Sequence, residues 1–172
     1  MDAAVRAWRW LRGRAPLGAL PDRPVPTVLA WGTAGLAALL IEAVSPLALD
    51  PGRALGPLLI ELGLVAAVLS VAKRRRVRVP LVQALQATAW LAVARTLILA
   101  PVLLVIAAAQ AASATVLGVF LLVALVTVAA MAWLIRRYLQ LWREALQVGA
   151  RTAAGILLAL AVALLLIEAA WA

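Results

Sequence analysis

Residues 115–135, TVLGVFLLVALVTVAAMAWLI, form a run of 21 residues without a charged side chain, followed directly by Arg136 and Arg137. An α-helix rises about 1.5 Å per residue, so a helix of this length matches the roughly 30 Å hydrocarbon layer of a bilayer. The run therefore predicts a transmembrane helix, with a pair of arginines marking the end at which it leaves the lipid.

Four further apolar stretches of similar character lie elsewhere in the chain, at residues 27–49, 56–72, 80–112 and 152–172. Of the 172 residues, 67% are hydrophobic and only 13% charged, and mean hydropathy is +1.08. Soluble domains are roughly half apolar and a quarter charged. We therefore predict an all-α, polytopic transmembrane helical bundle of about five spans over residues 27–172, after a basic cytoplasmic segment at 1–26.

The basic residues between these stretches predict the orientation of the chain. Cytoplasmic loops collect Lys and Arg, and nearly all basic residues here fall in alternate segments. With the N-terminus inside, the inner segments hold Arg6, Arg9, Arg12, Arg14 and Arg23, then Lys73, Arg74, Arg75, Arg76 and Arg78, then Arg136, Arg137, Arg143 and Arg151, whereas the outer loops hold Arg53. The pattern predicts an N-in, C-out protein. The Ala-, Leu- and Arg-rich composition favours the inner membrane of a bacterium.

The third stretch is longer than one span needs, and Trp90 suggests where it enters the bilayer, because tryptophan favours the membrane–water boundary. On this basis residues 80–89 are expected to lie at the interface, with Gln83 and Gln86 on a polar side. Arg95 would then sit just inside the membrane and extend its guanidinium back to the headgroups. The alternative is that Arg95 pairs with a carboxylate inside the bundle. Pro101, within the span, is expected to kink the helix.

Three carboxylates within the predicted spans are the candidate polar site: Glu42, Glu61 and Glu168. A charge at the bilayer centre costs about 2.5–3.5 kcal/mol on insertion scales, so each needs a partner, a proton or water. All three are expected in one layer near the outer surface, within reach of Arg53. One interpretation is an outward-facing site for a proton, a cation or a basic ligand. The other is that each carboxylate is wetted by the interface or protonated.

The basic cluster after the second span holds Lys73, Arg74, Arg75, Arg76 and Arg78. We interpret it first as a topology signal and second as a contact for anionic lipid headgroups. A nucleic-acid partner is not expected, because the cluster is short and lies against the membrane.

Small residues at four-residue spacing predict faces on which helices approach closely. Ala34 and Ala38 share such a face in the first span, and Gly155, Ala159 and Ala163 share one in the fifth.

Two stretches resemble the Yip domain family of small multi-span membrane proteins, in which a five-helix membrane domain follows a cytoplasmic N-terminus. The first is a polar turn leading into an apolar run around a proline, and the second is an aromatic-rich helix end before a small-residue helix. The residues that carry the resemblance are Val82-Gln83-Ala84-Leu85-Gln86, the run Leu97 to Leu104 with Pro101, and Trp133, Tyr138, Trp142, Ala145, Leu146 and Ala153. The resemblance spans roughly residues 28–172 and implies a non-enzymatic, bacterial-type member that shapes membrane or scaffolds other proteins.

The chain has no His and no Cys, which removes the commonest general base and metal ligand and all thiol chemistry. We therefore expect no enzymatic activity, no metal and no cofactor. The predicted function is that of a scaffold, a membrane-organising protein or a partner-binding subunit, in contact with membrane lipids and other membrane proteins. The alternative is a transport component with a polar outward-facing site for a proton, a cation or a small solute.

The predicted orientation is tested by fusing a compartment-specific reporter to the basic segments around residues 73–78 and 143–151 and to the loop near Arg53. We expect the first two fusions to report the cytoplasm and the third the outside, because translocating basic loops is unfavourable. A reporter near residues 73–78 that is active outside would contradict the orientation.

Overall fold

The computed structural model describes residues 3–44, 50–74, 80–111 and 116–171, without the side chains of residues 44, 107–111, 116–117, 168, 170 and 171. These residues form six α-helices and a short 3-10 turn, and no strand is found among them. The helices are α1 (Ala3–Leu11), α2 (Pro24–Val44), α3 (Pro51–Arg74), α4 (Leu81–Ala111), α5 (Val116–Leu146) and α6 (Ala150–Trp171), with the 3-10 turn at Leu17–Ala19.

Five helices among the described residues, α2 to α6, are long and apolar enough to cross a membrane. The all-helical architecture with five apolar helices is thus as predicted, and it supports a multi-pass membrane protein. Helix α4 lies between α2 and α5, while α3 packs against α2, α4 and α6, and α6 also packs on α5. Which end of the bundle faces the cytoplasm stays a prediction.

Helix α3 begins earlier than the hydrophobic pattern indicates, at Pro51 rather than at residue 56. Asp50 Oδ1 accepts hydrogen bonds from the backbone N–H of Gly52 at 2.9 Å and of Arg53 at 3.3 Å. This is N-cap geometry, and proline is well suited to the first helical position because its missing N–H would have no partner there. The extra turns place every later residue of α3 deeper from its start than expected.

Helix α4 is a single helix of 31 residues from Leu81 to Ala111. The prediction that residues 80–89 lie at the interface is wrong, since Gln86 and Thr88 are fully buried among neighbouring helices. Thr88 satisfies its hydroxyl by donating to the carbonyl of Ala84 at 2.9 Å. The helix continues on both sides of Pro101, and a kink there stays a prediction.

Helix α5 continues beyond the predicted span to Leu146 and is followed by a tight turn into α6 at Ala150. Gln147 adopts a left-handed conformation with φ 53°, which is the usual way for a helix to end, although glycine is the residue that takes it without strain. The turn ends at Gly149, close to the break predicted from the sequence. It makes α5 and α6 antiparallel neighbours.

The N-terminal segment is part of the main hydrophobic core. Ala7, Trp10 and Leu11 of α1 and Leu17 and Leu20 of the 3-10 turn are buried in the same cluster as residues of α3, α4, α5 and α6. Trp10 and Trp142 are the largest side chains in it, and both are fully buried. The segment therefore closes one end of the bundle.

Of the two predicted small-residue faces, the structure supports one. Ala34 of α2 is fully buried against Leu58 and Ala92, and Ala38 packs on the same cluster. Gly155 and Ala159 of α6 are exposed, so the face predicted for the fifth span is wrong. Spacing alone does not distinguish the two helices, because both are rich in alanine.

Substitution of Trp10 by alanine should destabilise the purified protein by about 3–5 kcal/mol, because it removes a fully buried aromatic side chain from the core. The matched control is Trp8→Ala, two residues earlier on the exposed side of the same helix, which should cost less than about 1 kcal/mol. Thermal unfolding in detergent measures both. Equal losses would show that α1 does not pack as described.

Candidate functional site

Three polar side chains from three helices meet inside the bundle, and we call this group the polar triad: Glu61 of α3, Arg95 of α4 and Tyr138 of α5. Arg95 Nη2 lies 2.8 Å from Glu61 Oε2. The hydroxyl of Tyr138 donates a hydrogen bond of 2.7 Å to Glu61 Oε1. Both carboxylate oxygens are thus engaged, one by a positive charge and one by a neutral donor.

The helix lengths explain why Glu61 and Arg95 meet. Helices α3 and α4 are antiparallel neighbours. Glu61 lies 13 residues before the end of α3 at Arg74, and Arg95 lies 14 residues after the start of α4 at Leu81. At about 1.5 Å per residue, both are about 20 Å from the same end of the bundle. A helical register shift of one turn, about 5.4 Å, would separate them.

Burial makes this pairing energetically important. Glu61 is only 8% exposed, and the Arg95 side chain is 24% exposed. Removing two charges from water is costly, and the attraction between them offsets this only with good geometry and additional hydrogen bonds. Tyr138 supplies such a hydrogen bond. The triad has one negative and one positive charge, so its formal charges cancel.

The expectation that Arg95 extends to the headgroups is wrong, and the alternative, pairing with a carboxylate, is what the structure shows. The reason is the start of α4. The sequence argument placed the boundary at Trp90, whereas the helix begins nine residues earlier at Leu81. Arg95 therefore lies deep in the bundle, at the level of Glu61.

The predicted outer layer of Glu42, Glu61, Glu168 and Arg53 is not what surrounds Glu61. Arg53 is exposed in the first turn of α3, eight residues from Glu61, which is about 12 Å along the helix axis. Glu42 of α2 is half-buried, and its enclosed Oε1 has no hydrogen-bond partner among the described residues. The side chain of Glu168 lies outside the described residues.

The basic cluster is described only at its beginning. Lys73 and Arg74 form the exposed end of α3, where positive charge is favourable beside the helix C-terminus. Arg75, Arg76 and Arg78 lie outside the described residues, so headgroup contact by this cluster stays a prediction.

A cavity of about 130 Å³ adjoins the polar triad. Glu61, Arg95 and Tyr138 contribute its polar atoms, and the remaining wall is apolar. That wall consists of Leu64, Val65, Trp142, Leu157, Leu160, Ala161 and Leu164, so α6 closes the side opposite the triad. The volume corresponds to about four water molecules. Most of its surface nevertheless offers no hydrogen-bond partner, which favours a hydrocarbon occupant.

A second polar network, which the sequence analysis did not find, joins the N-terminal segment to α5. Glu144 Oε2 accepts a hydrogen bond of 2.6 Å from the backbone N–H of Leu17, and its Oε1 accepts one of 2.6 Å from Gln140. Gln140 in turn accepts from Arg137 Nη1 at 2.5 Å. Gly13, with φ 72°, lies so close to the Arg137 guanidinium that a Cβ would collide with it. The i, i+3 and i, i+4 spacing of these three residues was the available signal.

The triad can hold three helices together, and beside the cavity it can offer charged hydrogen-bonding atoms to a ligand. Within the described residues, no three acidic side chains lie close enough together to hold a metal ion.

Replacing one member of the ion pair should destabilise the bundle, because it leaves an uncompensated buried charge. We expect Glu61→Gln and Arg95→Gln each to cost about 2–3 kcal/mol, below the range for fully buried pairs because Arg95 is partly exposed. The double variant Glu61→Gln/Arg95→Gln should recover most of this loss. Thermal unfolding in detergent provides the measurement, with Glu42→Gln as the matched control at below about 1 kcal/mol. Additive losses in the double variant would refute the coupling.

Comparison of the chain with family models, with curated proteins and with solved structures finds no match. The resemblance to the Yip domain family stays a prediction.

Proposed function

We propose that this protein is a multi-pass scaffold of the membrane, which organises lipids or binds partner proteins and has no catalytic activity of its own. The observation that carries the proposal is the closed polar triad. Glu61 is held on both oxygens by Arg95 and Tyr138, so its charge is used to join α3, α4 and α5. A proton or cation carrier needs a carboxylate that can exchange its partner during transport.

The packing of the closed end supports the same proposal. Trp10, Leu69, Leu91, Leu141 and Trp142 fill the space between the helices at the end where α1 lies. A bundle filled in this way presents a fixed outer surface, and fixed surfaces bind partners with little loss of conformational entropy. The partners in this proposal are membrane lipids and other membrane proteins, and the membrane is the inner membrane of a bacterium.

A second candidate function is the binding or transport of a small ligand, and the cavity beside the triad favours it. The cavity lies between α3, α5 and α6 and has charged atoms on one wall. A ligand with an apolar body and one polar group would match that wall. Under this alternative, the cavity must be reachable by solutes from at least one aqueous side.

Cysteine accessibility separates the two candidates, because the natural chain has no cysteine and each introduced thiol is the only one. We expect Ala161→Cys, in the cavity wall, to react with a charged, water-soluble thiol reagent as slowly as Ala159→Cys does. Ala159 lies half a turn away on α6, is exposed, and is outside the cavity. Equal, slow reaction in proteoliposomes is what a scaffold requires.

Rapid modification of the Ala161→Cys variant alone would contradict the scaffold and favour the transport alternative. Its dependence on Glu61 would then be decided by adding Glu61→Gln to the same variant. Identification of copurifying membrane proteins from a native host would name the partners that the scaffold proposal requires.

A further inference from the structure

Helix α1 has an exposed face that the core does not use. Trp8 is 53% exposed and Val5 is 41% exposed, although both are apolar side chains on the same short helix that buries Trp10. Arg9, Arg12 and Arg14 are exposed beside them. Together these five residues line a cleft of about 410 Å³, which we call the α1 cleft.

Within the α1 cleft, one arginine is already oriented. The Arg12 guanidinium lies 4.4 Å from the centroid of the Trp8 ring, within the range of a cation–π interaction. Stacking restricts the guanidinium while leaving its N–H groups in plane and free to point outward. A planar guanidinium held in this way matches the geometry of phosphate oxygens.

The position of α1 places the cleft near the level of lipid headgroups. Trp10 and Leu11, on the opposite face, are buried between the ends of membrane-spanning helices. The 3-10 turn that follows is tied to the first turn of α4, since Gln83 Nε2 donates to the carbonyl of Leu20 at 3.2 Å. An exposed tryptophan at such a depth is typical of side chains that sit among headgroups.

Charge distinguishes this cleft from a second one at the same end of the bundle. Arg136 and Arg143 line a cleft of about 480 Å³ that also contains Glu144, whose carboxylate would repel an anion. The residues that line the α1 cleft include three arginines and no carboxylate. Of the two, the α1 cleft therefore has the stronger electrostatic preference for an anionic group.

We propose that the α1 cleft binds the phosphate-bearing headgroup of an anionic membrane lipid. Arg12 and Arg14 bind the phosphate, while Trp8 and Val5 contact the glycerol and the upper acyl chain. This site is separate from the basic cluster that begins at Lys73, and it does not depend on the proposed scaffold function. It gives the N-terminal segment a second role besides closing the bundle.

The test measures binding of short-chain phosphatidylglycerol to the full chain in a neutral detergent, by native mass spectrometry, with phosphatidylcholine as the uncharged comparison. We expect phosphatidylglycerol to bind more tightly, and Arg12→Gln/Arg14→Gln to weaken its binding by about tenfold to thirtyfold, from roughly 1 kcal/mol per basic residue. Trp8→Ala should also weaken binding, because Arg12 then loses its stacking support.

The matched control is Arg74→Gln/Arg151→Gln, which removes two exposed positive charges from segments assigned to the same side of the membrane. It should leave phosphatidylglycerol binding nearly unchanged. An equal loss in this control would overturn the proposal, since binding would then follow net charge. Equal binding of phosphatidylcholine and phosphatidylglycerol to the wild-type chain would also overturn it. Should the double variant unfold in detergent, Trp8→Ala, which alters an exposed side chain, still decides: unchanged binding there overturns the proposal.

Discussion

A carboxylate inside a bilayer must be neutralised, and in this protein that requirement fixes the relative position of three helices. Glu61 and Arg95 are about 20 Å from the same end of the bundle on antiparallel neighbours, so their contact sets the register of α3 against α4. Tyr138 adds α5 to the same level through its hydrogen bond to Glu61. The apolar side chains around them pack in many ways, whereas a buried charge accepts very few partners.

The same neutralisation shapes what the neighbouring cavity can do. With Glu61 and Arg95 paired, the polar wall has no net formal charge, and the other walls are apolar. A cation would therefore find a carboxylate that is already occupied, while an acyl chain would find a compatible surface. This is the physical reason for preferring a structural role for the triad over ion transport.

The N-terminal segment shows how a basic, proline-rich stretch becomes part of a membrane protein's core. Its arginines stay on the surface, while Trp10 and Leu17 fill the end of the bundle. Glu144 holds the backbone of Leu17, so the segment is fixed by hydrogen bonds as well as by packing. With the segment fixed in this way, Trp8 and Arg12 remain on the outside, where they meet the membrane surface instead of the core.

The sequence by itself determined the class of structure: a run such as 115–135 has room for no stable arrangement in water, and its length matches one bilayer crossing. It also located the turn before α6 and the packing face at Ala34. It did not determine helix starts, because Asp50 and Pro51 add turns to α3 that carry no hydrophobic signal, and Trp90 is an internal residue of α4 rather than its boundary. The partner of Arg95 depended on those starts, since an error of a few residues moves a side chain by a whole turn. Only the tertiary structure decided that Glu61 joins Arg95 and Tyr138, because contacts between helices depend on depth and rotation, which one-dimensional patterns of polarity do not specify.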